Sequence, residues 1–196
     1  MKVLIIGAPR SGTTSLLNAI GISLKYEIIH EPFNYTHPSI KSKKYPFPID
    51  DNTIVKTIYG QIPEQFTDSF DFLKEFSKSF DVVILLSRKN RNKLLESLSY
   101  QLKYNREGNW HNQYIYDDNI NTEPHGDYVN YTCDGILKLN EELNIPIWWY
   151  EDLYSGDVDI INDFIEKHKL SLTVNDMLQH INPKKKYRLN IKKTLI

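Results

Sequence analysis

The chain has 196 residues, with 24 lysines and arginines against 25 aspartates and glutamates, 40% hydrophobic and 25% charged residues. That length is one domain with room for a core, the composition excludes disorder, collagen and coiled coil, and the near-zero net charge gives no field to draw the chain onto nucleic acid or an anionic membrane. Cys133 is the single cysteine and forms no intrachain disulfide, no Cys/His cluster has the spacing of structural zinc, and the apolar N-terminal run is too short to span a membrane, so a cytoplasmic protein with no nucleic-acid or membrane partner is expected.

Residues 3–6 are β-branched or apolar on both faces, as a buried parallel strand is, and run into a Gly/Pro/Ser turn and a helix carrying Leu16, Leu17 and Ile20. Further strands are expected at 26–30, 53–59, 82–87 and 145–150, the last preceded by Asn144 as a helix stop. Helical spacing of apolar residues over 64–78, 92–103, 128–143 and 158–168 separates most of them. The alternation predicts an α/β three-layer sandwich with a mostly parallel sheet, a single domain over residues 1–196. Segments 34–51 and 104–126 break the pattern and read as long loops, and the tail beyond Asp176 is basic, with Lys184, Lys185, Lys186, Arg188, Lys192 and Lys193.

Three segments carry chemistry. Gly7-Ala8-Pro9-Arg10-Ser11-Gly12-Thr13-Thr14-Ser15 joins the first strand to the first helix, where backbone N–H groups and the helix dipole converge on one small volume and hold phosphate-like anions. Gly7 and Gly12 have Walker A spacing, but Thr13 stands in the lysine position. Arg10 offers a cation one turn earlier, and Ser11, Thr13, Thr14 and Ser15 offer hydroxyls; the alternative is a structural turn with Ser/Thr capping. Second, the strand at 82–87 ends in Arg88, Lys89 and Asn90 and enters a helix carrying Ser97. A basic helix start is unfavourable beside the positive end of the dipole unless an anion binds there. Third, Ile145-Pro146-Ile147-Trp148-Trp149-Tyr150-Glu151-Asp152-Leu153 places two acids after a strand, where they cap a helix, neutralise basic neighbours, or hold magnesium as a Walker B site does.

Pro9-Arg10-Ser11-Gly12-Thr13-Thr14 resembles the 5′-phosphosulfate loop of sulfotransferases that use 3′-phosphoadenosine 5′-phosphosulfate (PAPS), and the other two segments follow in that family's order. The resemblance implies a P-loop NTPase-like sulfotransferase fold, a PAPS donor leaving 3′-phosphoadenosine 5′-phosphate, and no metal. It maps Pro9, Arg10, Ser11, Gly12, Thr13, Thr14 and Ser15 to the 5′ end of the donor. Arg88 and Ser97 map to its 3′-phosphate, with Lys89 and Arg91 in reach of the same role. Arg10 would stabilise the leaving phosphate. Lys56 resembles the lysine of the family's Lys-Thr-His segment, or stands as a strand-end surface lysine. Glu31 is the favoured general base and His30 the alternative, since adjacent strand residues point to opposite faces and only one faces the donor easily. The basic stretch 184–188 would close over the 3′-phosphate.

The implied reaction moves a sulfonate group to a hydroxyl or amine of a carbohydrate or other small-molecule acceptor. The acceptor would enter beneath the two long loops, where Tyr35, His37, Tyr45 and Phe47 in one, and Trp110, His111, Tyr114 and Tyr116 in the other, form a stacking platform or pack the loops onto the body. Two other readings stay open: a P-loop small-molecule kinase using ATP–magnesium with its cation moved to Arg10, and a non-catalytic nucleotide-binding module.

Overall fold

The computed structural model describes residues 1–35, 42–106 and 121–181. Within them β1 (Lys2–Gly7), β2 (Glu27–His30), β3 (Thr53–Ile58), β4 (Val82–Ser87) and β5 (Ile147–Trp149) form one sheet in the order β2-β3-β1-β4-β5. Every pairing is parallel. The helices are α1 (Thr13–Leu24), α2 (Ser69–Ser77), α3 (Arg91–Arg106), α4 (Gly126–Leu143), α5 (Tyr150–Leu153), α6 (Val158–Lys167) and α7 (Val174–Ile181). The expected three-layer α/β architecture is what the chain adopts, with a wholly rather than mostly parallel sheet.

Period-two alternation along β1 divides the core between the two faces. Val3 and Ile5 pack with α1, α6 and α7, while Leu4 and Ile6 pack with α2 and α4. All four are fully buried, each contributing about 1.5 to 3 kcal/mol of apolar burial. Because β1 is central, with β3 and β4 on either side, the loop that follows it opens at the carboxyl edge where an open α/β sheet places ligands. No helix among the described residues is long and apolar enough to cross a membrane.

Several expected boundaries move, for local reasons. The helix expected over 64–78 starts only at Ser69, because Asp68 is the N-cap, its carboxylate accepting from Asp71 N at 2.9 Å. The strand expected over 145–150 shrinks to Ile147–Trp149, since Pro146 has no N–H and Tyr150 already begins α5. Asn144 does stop α4, in the left-handed conformation. Helix α7 was not expected, although Thr173 and Asp176 form a reciprocal capping box ahead of Val174, Met177, Leu178 and Ile181.

Tyr45 and Phe47 take the packing alternative, entering an aromatic cluster with Phe33, Phe66, Phe72 and Phe76 that fastens residues 42–51 to α2. Tyr35 is exposed, its hydroxyl donating to Lys43 O at 3.4 Å. His37, Trp110, His111, Tyr114, Tyr116 and the basic stretch 184–188 lie outside the described residues.

Trp148 on β5 donates its indole N–H to His168 Nε2 at 2.8 Å, which leaves the His168 proton on Nδ1. Burial, reinforced by Lys167 and opposed by Asp163, pushes the His168 imidazole down to about 4. A lowered histidine pKa contributes stability that is full above the unfolded value near 6.5 and is lost as pH falls toward 4. Denaturant titrations should therefore show the wild type losing about 3 kcal/mol between pH 7 and pH 4 relative to His168→Gln, which keeps a hydrogen-bonding side chain and removes the titration.

Candidate functional site

The loop after β1 is set by two glycines. A Cβ on Gly7 would stand 2.2 Å from Thr13 Cγ2, so only glycine lets the strand end pass beneath the first turn of α1. Gly12 has φ 87°, and a Cβ there would meet the Tyr154 ring at 2.7 Å. The Tyr154 hydroxyl donates to Gly12 O at 2.5 Å and fixes the start of α1 from below. Among the described residues the N–H groups of Gly12, Thr13 and Thr14 donate to no backbone carbonyl. Three donors and the positive end of a three-turn helix therefore open at the carboxyl edge of the sheet, a ready anion site.

Two of the expected hydroxyls are turned away. Ser11 is fully buried and its Oγ donates to Ala8 O at 2.7 Å, with Leu86 O at 3.3 Å, anchoring the loop to β4. Ser15 is buried against the Tyr154 hydroxyl. Pro9 and Thr13 are buried as well, so Thr14 is the exposed hydroxyl of the loop. What these residues can offer to an anion is thus mainly backbone N–H groups.

Beneath Thr14 lies Lys56, only 2% exposed, which corrects the reading of a surface lysine. Its ammonium is ion-paired to Glu31 Oε1 and sits 3.4 Å from both Thr14 Oγ1 and His30 Nε2. His30 Nε2 is 3.3 Å from Thr14 Oγ1. Expected alternation would have sent His30 and Glu31 to opposite faces, but Glu31 has φ 46°, so the chain leaves β2 in a left-handed turn and both side chains reach the same ammonium. Asn34 Nδ2 and Gln61 Nε2 donate to Glu31 Oε2 at 2.6 and 3.0 Å.

The electrostatics follow from that packing. Burial raises the Glu31 carboxyl, but the Lys56 charge and the hydrogen bonds from Lys56, Asn34 and Gln61 outweigh it and hold the group at about 2. Burial, with a further push from the Arg10 guanidinium, lowers the Lys56 pKa, and Glu31 opposes that pull.

Arg10 also takes a left-handed conformation, φ 62°, and its Nε donates to Ser97 Oγ at 3.1 Å. Ser97 was expected beside Arg88; the bond it makes instead joins the loop to α3. Arg88 lays its guanidinium 4.1 Å over the Tyr150 ring, with Nη1 3.4 Å from Lys93 O and a buried Nε that has no partner among the described residues. Tyr150 stacks on Tyr154 at 4.5 Å, and that ring abuts Gly12. Lys89 and Arg91, expected as alternatives to Arg88, are engaged elsewhere: Lys89 with Asp152 at 2.6 Å, Arg91 with Asp134 at 2.6 Å. Glu151 accepts from Lys89 N at 2.9 Å, so these acids neutralise the basic start of α3.

Sequence reasoning missed Tyr154, Asn34 and Gln61. Tyr154 directly follows the quoted Tyr-Glu-Asp-Leu segment, but its contact with Gly12 spans 142 positions and left no local signal.

Glu31→Gln removes one partner of a buried pair and should destabilise the protein by about 3 to 5 kcal/mol at pH 7, with Lys56→Met in the same chain restoring most of the loss. The advantage of wild type over Glu31→Gln should be full above pH 4.5 and shrink as pH falls toward 2, because a depressed carboxyl stabilises only while ionised. Denaturation midpoints across that range check both.

No family model matches the chain, and no curated protein matches it. Among solved structures it is similar to YorR from Bacillus subtilis, crystallised in complex with phosphorylated GDP: 13% identity, TM-score 0.46, covering 86% of this chain and 98% of that one.

Proposed function

We propose that the protein is a sulfotransferase that moves a sulfonate group from PAPS to the hydroxyl of an acceptor. The observation that carries this reading is the Arg10–Ser97 bond, which joins the loop after β1 to α3 and so supports a single doubly anionic nucleotide spanning both. The residues present fit that donor. The N–H groups of Gly12, Thr13 and Thr14 suit its 5′ end, and Arg88, with a buried unpartnered Nε, suits its 3′-phosphate.

When bound, PAPS supplies the sulfonate and the leaving phosphate. In this reading Arg10 and Lys56 hold charge at the leaving oxygen. Glu31, favoured from sequence as the base, carries a carboxyl at about 2 with three donors on its two oxygens, and is better suited to aim Lys56 than to take a proton. In this reading His30 Nε2, beside Thr14 Oγ1 and Lys56 Nζ, takes the proton of the acceptor hydroxyl.

The test is a melting-temperature screen. Adenosine 3′,5′-bisphosphate with a chelator present should raise the midpoint by roughly 5 to 10 °C at a hundredfold excess over its Kd, and Arg88→Ala should cut that affinity at least roughly tenfold. Stabilisation by ATP–magnesium and not by the bisphosphate would make the protein a phosphotransferase, and no shift with either would overturn the nucleotide reading. Given donor binding, His30→Gln should lower turnover by about 10² to 10⁴ with the bisphosphate shift intact.

A further inference from the structure

Three polar groups from three elements meet at the start of α1. Thr14 Oγ1 of α1, His30 Nε2 of β2 and Lys56 Nζ of β3 stand 3.3 to 3.4 Å from one another. An ammonium only donates, so its contact with His30 requires a lone pair on Nε2, and the imidazole in this arrangement is neutral with its proton on Nδ1.

Protonating Nε2 would replace that hydrogen bond with an N–H aimed at a cation. Lys56 from β3 opposes it, with the Arg10 guanidinium close enough to bear on Lys56 as well. Glu31 Oε1, 3.8 Å from Nε2, favours it, but that oxygen is already ion-paired to Lys56. Thr14 on α1 carries no charge. On α4 the Tyr128 ring lies over Gly60, and burial, then the Glu31 carboxylate, pushes its phenol up to about 12, so it stays neutral.

An anion at the loop tips this balance. The N–H groups of Gly12, Thr13 and Thr14 open at the same first turn, so a phosphate seated on them stands next to the hydroxyl that touches His30 Nε2. The imidazole is 35% exposed, which lets a proton reach it from solvent. Linkage is reciprocal: whatever factor the anion adds to proton binding at His30, the proton adds to anion binding.

We propose that His30 is a proton-gated ligand of the anion site: neutral, it accepts from Lys56, and protonated, it becomes a further donor to a phosphate held by the loop. The consequence for turnover rests on the sulfotransferase reading. As the acceptor oxygen bonds to sulfur, the bond from sulfur to the 5′-phosphate oxygen breaks, its electron pair stays on that oxygen, and the acceptor's proton passes to Nε2. The step creates an imidazolium and a new phosphate charge side by side, and release of the bisphosphate speeds up once His30 returns the proton to water.

Calorimetry of adenosine 3′,5′-bisphosphate binding to the full chain, in buffers of low and high ionisation heat, counts the protons exchanged. Wild type should take up more protons per bisphosphate than His30→Gln, the ligand's own phosphates being common to both. Its affinity should fall roughly tenfold from pH 6.5 to pH 8.5 relative to His30→Gln, the two curves meeting at pH 8.5. His30→Asn serves as a second variant where glutamine fails to fold. Equal proton uptake and equal pH dependence in the two chains, or a relative wild-type affinity that rises with pH, overturns the proposal. If the bisphosphate binds the wild type at no pH, the donor reading has failed, and inorganic sulfate, whose charge is constant over this range, reads the linkage by itself. Its melting shift should be larger at pH 6.5 than at pH 8.5 in wild type and not in His30→Gln. A sulfate shift that is absent, or that the variant matches, overturns the linkage too.

Discussion

A lysine ammonium buried under the first turn of a helix is the constraint around which the exits of β2 and β3 are organised. Removing such a charge from water costs several kcal/mol unless a counter-charge and further hydrogen bonds surround it. Lys56 obtains them because β2 ends in a left-handed residue that swings Glu31 back toward β3. The carboxylate in turn needs donors, and it draws Asn34 from its own turn and Gln61 from the turn after β3. One buried charge thereby orders the exits of two strands and brings His30 and Thr14 together above it.

The exit of β4 is ordered by stacking rather than by ion pairing. Arg88 lies on Tyr150, Tyr150 on Tyr154, and the Tyr154 hydroxyl holds the carbonyl of Gly12. A cation–π contact and an aromatic pair are each modest, worth about 0.5 to 2 kcal/mol, but in series they connect the exit of β4 to the loop after β1. Lys89 and Arg91 are kept out of the crevice by acids of their own. Of these three cations, Arg88 alone makes no ion pair among the described residues.

The sheet was legible because its strands are apolar on both faces and each is followed by turn chemistry or a helical period. β4 was read to the residue, while α2 was read too long because the capping Asp68 was passed over in favour of a start at Glu64. Of the residues the sequence named, Arg10 bonds Ser97, Lys56 gathers Glu31 and His30, and Arg88 lies on Tyr150. Their partners were less legible. Spacing alone does not tell that Ser97 bonds Arg10 rather than standing by Arg88, nor that the hydroxyls of Ser11 and Ser15 turn inward. Strand alternation cannot foresee a positive φ at Glu31. Tyr128 acquires its position only when α4 docks over Gly60, a tertiary event with no local signature.

The hydrogen bond from Tyr154 to Gly12 links the first helix turn to a residue far along the chain. A growing polypeptide that has released only its first four strands holds the glycines and Arg10 but lacks the ring that seats against Gly12. During synthesis from the N-terminus, the loop made earliest is therefore completed late, and an incomplete chain would not hold its finished conformation before the rest of the fold has arrived.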